Sequence, residues 1–246
     1  MSSAPDLTSR LLGHQRLIVA AGLALLAALA WWFVLDGAGV AEPMRMAEAP
    51  PPFPALVLMW WVMMVAMMLP SATPAILLYA RVREMRNGDA RIGETWVFLA
   101  GYAAVWLLFS LAAAGLQYLV TGASMALDDR LAEAIVLIAA GLYQLSPLKS
   151  ACLGQCRAPA QFISRHWRPG AAGAVRLGAL HGAYCVGCCW MLMALLFVGG
   201  VMNLLWIAAL TIFILLEKIV PTGRLIPRLA GAAMFATGLF LLYRSF

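Results

Sequence analysis

Seven apolar runs, each near the roughly 17 to 25 residues a helix needs to cross a hydrocarbon core about 30 Å thick, constrain this chain more than any other feature. They are Leu17–Leu35, Pro54–Tyr79, Trp96–Val120, Leu131–Leu148, Leu177–Gly199, Met202–Val220 and Ile226–Tyr243. Lipid offers no partners for backbone N–H and C=O groups, so only helices or closed barrels can span it. Barrel strands would alternate in polarity over about ten residues, and these runs do not. The expected fold is therefore all-α, a polytopic membrane helical bundle of about seven helices. Hydrophobic residues make up 64% of the chain and charged ones 11%, with a mean hydropathy of +0.88, which excludes a soluble globular domain.

Basic residues near segment ends are retained on the cytoplasmic side. Of the 17 Lys and Arg, all but Arg45, Arg130 and Arg244 fall on one side of the seven-segment arrangement. This places the N-terminus inside and the C-terminus outside. The net charge of +6 then reflects insertion and contact with anionic lipid. No nucleic-acid motif is present, so the lipid bilayer is the expected macroscopic partner and nucleic acid is not. Arg10 and Arg16 before the first run also fit a signal peptide cleaved near Gly39 to Ala41, which would leave six segments. The expected organisation is residues 1–53 as N-terminal tail, first helix and external Met/Pro loop, 54–223 as a metal-binding membrane core, and 224–246 as the last helix.

The fifth run carries HGAYCVGCC, with His181, Cys185, Cys188 and Cys189 three or four residues apart. On a helix that spacing lays nitrogen and sulfur donors along one face. Gly178, Gly182 and Gly187 thin the same helix, so a neighbour can approach closely. A single buried Cys is commonly a small hydrophobe; three with a His at helical spacing point to a metal. The second run adds Met59, Met63 and Met67 at four-residue intervals, with Met64 and Met68 repeating the interval beside them. Thioethers select Cu(I) over zinc, although Met stripes also fill cores. At about 1.5 Å rise per residue, Met63, Met64 and Met67 reach a depth similar to Cys185 and Cys188. A site shared by the two helices follows, and Met63→Leu with Met67→Leu is expected to weaken Cu(I) while sparing Zn(II).

Cys152 and Cys156, four apart in SPLKSACLGQCRAP, are expected to bind leaving metal, to fold back onto the main site, or simply to be buried. Met44 and Met46 in the external loop are a candidate capture pair for Cu(I). Pro70 and Pro74 mark a bend in the second helix, with Ser71 and Thr73 expected to satisfy the freed carbonyls. Glu217 and Lys218 are adjacent and so do not face each other; Glu217 is expected to find a partner elsewhere and Lys218 to snorkel. No chain of embedded acids, phosphate loop, nucleophile elbow or HExxH argues for pumping or catalysis. Gly199, Gly200, Gly231 and Gly238 permit close packing within or between chains.

The segments MWWVMMVAMMLPS, CLGQCRAP, HGAYCVGCCWMLMALLFVGGVMNL and LLEKIVPTG together resemble the bacterial predicted metal-binding integral membrane proteins, a domain family of unknown function. The resemblance spans about Met59 to Gly223. It implies a multi-pass bacterial inner-membrane protein with His181, Cys185, Cys188 and Cys189 as ligands, and it implies no reaction. Copper as Cu(I) follows from ligand softness; zinc stays open, because one His and three Cys suit a tetrahedral site. The function read from the sequence is transport or delivery of a soft metal, involving a metallochaperone or a membrane metalloenzyme, by a protein that is not an enzyme. The alternatives are a membrane thiol-disulfide oxidoreductase using Cys185 and Cys188, or an assembly factor for a membrane metalloenzyme.

Overall fold

The computed structural model describes residues 7–36, 52–87, 92–120, 129–220 and 225–245. Met44, Met46 and the cleavage position near Gly39 lie outside the described residues. The described elements are α1 (Leu7–Leu35), α2 (Phe53–Asn87), α3 (Ile92–Val120), α4 (Arg130–Leu145), α5 (Pro147–Arg157), α6 (Pro159–His166), α7 (Gly170–Ala194), α8 (Leu196–Gly199), α9 (Leu204–Ile219) and α10 (Leu225–Arg244). No strand occurs among the described residues, so the all-α expectation holds.

Five helical stretches are long and apolar enough to cross a membrane: Leu17–Leu35, Phe53–Arg86, Ile92–Leu119, Gly170–Gly199 and Leu225–Arg244. Two of the seven expected straight spans are corrected. The fourth run breaks at Ser146, whose backbone is extended and whose side-chain Oγ caps α5 by accepting from Lys149 N, while Pro147 opens the new helix. The chain bends there by 62°, and the pair α4 and α5 counts as a sixth span only if taken together. The other shortfall is α9, which starts where the Asn203 side chain accepts from Trp206 N and runs 16 residues. At about 1.5 Å per residue it spans roughly 24 Å, less than a bilayer core of about 30 Å.

Glycines decide which helices touch. A Cβ on Gly178 would sit 1.9 Å from Phe98 O, and one on Gly101 would sit 2.3 Å from Val175 O. Backbone therefore meets backbone between α3 and α7, which run parallel. A second close pair is α4 with α10, antiparallel, where a Gly141 Cβ would meet Phe235 N at 2.7 Å and a Gly238 Cβ would meet Ile138 N at 2.8 Å. Along α3, α2 runs antiparallel: Trp60 Nε1 donates to Gln117 Oε1 at 2.6 Å, Tyr79 stacks on Phe98, and Arg83 pairs with Glu94 at 2.6 Å. These directions are the ones an alternating path of seven segments requires, the short α9 included.

Outward faces carry Leu29, Trp32, Leu108, Leu119, Leu205, Ile212, Leu229 and Phe240 in the open. Apolar exposure on that scale suits contact with lipid. The prolines leave α2 continuous through residue 87. Ser71 Oγ donates to Met68 O and Thr73 Oγ1 to Leu69 O, both at 2.9 Å. The carbonyls that Pro70 and Pro74 deprive of a donor are those of Ala66 and Pro70, so the hydroxyls do not play the compensating part expected of them.

Candidate metal centre

The thiols of the chain gather on α7. All five cysteines are free, and Cys185, Cys188 and Cys189 are buried on one face with His181. The helical spacing read from the sequence aligns them as expected. Their neighbours are not those expected. It is α3 and α5, not the Met-rich α2, that approach through the glycines. Gly182 takes Val105 and the Tyr102 carbonyl of α3 against it, and a Cβ on Gly187 would lie 2.9 Å from Cys152 Sγ of α5.

The bend at Ser146 is what brings α5 in. Turned aside by 62°, it lays Cys152 over Gly187 and puts Cys156 within side-chain hydrogen-bonding reach of both Cys185 and Cys188. Cys156 joins the thiol group, while Cys152 lies at its edge, half-buried.

Cys185 Sγ is the hub. Lys218 Nζ donates to it at 3.0 Å, Tyr102 OH lies 3.2 Å away, and the thiols of Cys156, Cys188 and Cys189 are within reach. Cys188 Sγ donates to the Cys185 carbonyl at 3.1 Å; Cys189 Sγ reaches that carbonyl at 2.9 Å and Met68 Sδ at 3.8 Å. Met59, Met63, Met64 and Met67 are fully buried in the core; among the described residues the thioether–thiol hydrogen bond is that of Met68. It lies one residue beyond Met67 and four beyond Met64, on the second of the two stripes.

His181 is 3% exposed, and its Nδ1 has no hydrogen-bond partner among the described residues. The ring sits among Phe98, Tyr102 and Phe162 at centroid distances of 6.2, 5.8 and 5.4 Å. A buried imidazole nitrogen with no partner is costly and fits a group awaiting a ligand. Among the described residues, no group of three or more His, Cys, Asp or Glu is arranged to hold a metal ion. The reason is local: Cys188 and Cys189 turn their thiols onto their own helix.

Lys218 is the residue the sequence misjudged. Expected to snorkel, it is 8% exposed and points inward, donating also to Ser71 Oγ of α2 at 2.9 Å. The signal was present in the spacing. Ile207, Leu210, Thr211, Ile214, Glu217 and Lys218 form the buried face of α9, three or four residues apart. Glu217 turns to the other side, as expected, accepting from Lys149 Nζ at 2.7 Å and from Gln144 Nε2. Arg157 Nε donates to its backbone carbonyl.

Fold and donor set define a helical bundle with a buried sulfur cluster contributed by three helices, α2, α5 and α7. The chain belongs to the copper chaperone family PpoB2, whose model matches residues 57–241 and so includes every residue of that centre. The match supports the metal-related family inferred from the motifs and names copper as its metal. No curated protein and no solved structure matches the chain.

Proposed function

We propose that this chain is a multi-pass membrane protein that binds Cu(I) within the bilayer and delivers it to a copper-dependent partner, without itself being an enzyme. The observation that carries the reading is the meeting of Cys156 with Cys185 and Cys188 beside the Cys189–Met68 contact, in a family described by copper delivery. Thiolate and thioether donors together suit Cu(I), which accepts fewer ligands than the four a structural zinc site uses. Cys185 and Cys188 are the core ligands; Cys156, Cys189, Met68 and His181 are within reach to complete the shell. Binding requires Cys188 to turn from the Cys185 carbonyl toward the ion. Cys152, half-buried on α5, is the transfer point between the centre and the side of the membrane where the basic residues concentrate. That side is the cytoplasm, and the membrane is the bacterial inner membrane.

The test is elemental analysis of the protein purified in detergent under reducing conditions, beside a Cys185→Ser, Cys188→Ser variant. Copper co-purifying in stoichiometric amount and absent from the variant supports the reading. Metal-free protein whose thiols cycle reversibly to a disulfide would instead favour the oxidoreductase alternative.

A further inference from the structure

Copper binding by cysteines leaves Lys218 without an assigned part. Its ammonium links α9 to α7 and α2 through Cys185 Sγ and Ser71 Oγ, at 3.0 and 2.9 Å. No carboxylate pairs with it among the described residues. Glu217, its neighbour in the chain, faces Lys149, and Arg157 holds the Glu217 carbonyl. Tyr102, the other polar group on Cys185, is a phenol. The interior therefore contains a cation whose contacts are a thiol and a hydroxyl.

An uncompensated charge away from water is costly, and a buried charge persists where a counter-charge meets it. Cysteines bind metal as thiolates. Two thiolates and one Cu(I) ion carry one net negative charge, and adding one ammonium brings the sum to zero. An ammonium has no lone pair and cannot itself ligate the ion. We propose that Lys218 is a positioning residue for copper: it orients the Cys185 sulfur and supplies the counter-charge that makes a dithiolate Cu(I) centre neutral within the bundle. The inference rests on Cys185 and Cys188 being copper ligands. Removing the charge leaves the dithiolate centre anionic, and a centre of one thiolate and one thioether becomes the neutral one.

The experiment measures Cu(I) affinity of the full-length protein in detergent, under reducing conditions, by competition with a chromophoric Cu(I) chelator. Lys218→Met is expected to weaken binding on the order of tenfold or more, and Lys218→Arg, which keeps the charge, to recover part of that loss. Lys218→Gln, which retains a donor for Ser71, must behave as Lys218→Met; it carries the test should the Met variant not fold. The decisive reading is a double-mutant cycle with Cys188→Met. That substitution should cost markedly less affinity in the Lys218→Met or Lys218→Gln background than in the wild type, because a thioether then restores neutrality. Additive losses, or equal losses for Lys218→Met and Lys218→Arg, overturn the proposal and leave Lys218 as packing. Wild-type protein that takes no Cu(I) from the chelator would instead remove the copper reading on which it stands.

Discussion

Two lysines are buried beside the same end of α9, and they meet opposite kinds of partner. Lys149 Nζ lies 2.7 Å from Glu217 Oε2 and 2.5 Å from Gln144 Oε1, a closed polar group joining α4, α5 and α9. Lys218 Nζ, one residue along the chain from Glu217, faces a thiol and a hydroxyl. The first arrangement is complete without any ligand: its charges cancel within the protein, and it pins the bent α5 to α9. The second has no carboxylate among the described residues, and the anionic centre proposed on the cysteines would complete it. Adjacent residues on a helix point about 100° apart, so Glu217 faces Lys149 and Gln144 while Lys218 faces Cys185 and Ser71.

That contrast can be broken by substitution on either side. Lys149→Met leaves Glu217 buried without its partner charge and is expected to cost about 3–5 kcal/mol of stability, seen as a lower thermal midpoint in detergent. Lys149→Met combined with Glu217→Leu should recover much of that loss, because an apolar pair removes both desolvation costs. A double variant no more stable than the single one would mean the pair also fixes the position of α5. Gly178→Val comes next. A side chain there meets Phe98 O, and separating α3 from α7 should cost about 1–3 kcal/mol. Because Tyr102 on α3 touches Cys185, copper affinity should fall with it; unchanged affinity would detach the phenol from the site. The smallest effect is expected at α2. Met68→Leu should weaken Cu(I) by about 1 kcal/mol, less than tenfold, and exceed the effect of Met63→Leu with Met67→Leu. A larger effect from the latter pair, measured by the same chelator competition, would return the thioether role to the first stripe.

Much of the fold was legible because lipid-spanning helices write themselves as long apolar runs. Five of the seven runs became such stretches, and their relative directions match an alternating path. The two that fell short did so at Ser146–Pro147 and Gly200–Asn203, short local signals submerged within otherwise apolar sequence. The stripe of nitrogen and sulfur donors on α7 was equally readable, since helical periodicity alone aligns His181, Cys185, Cys188 and Cys189. Which of the α2 methionines meets a thiol depends on rotation about the α2 axis, which an apolar stripe on both sides leaves undetermined in sequence; Met68 contacts Cys189.

By itself the sequence determined that the chain is helical, apolar enough to live in lipid, and rich in soft donors at helical intervals, because those properties reside in composition and in the 3.6-residue repeat. Tertiary structure alone decided that α5 bends aside by 62° to bring Cys156 to Cys185, that Met68 meets Cys189, and that Lys218 points inward. Each depends on how one helix is rotated and tilted against another. Glycine contacts between α3 and α7, and the Glu217–Lys149 pair between α9 and α5, fix those angles across many residues of separation.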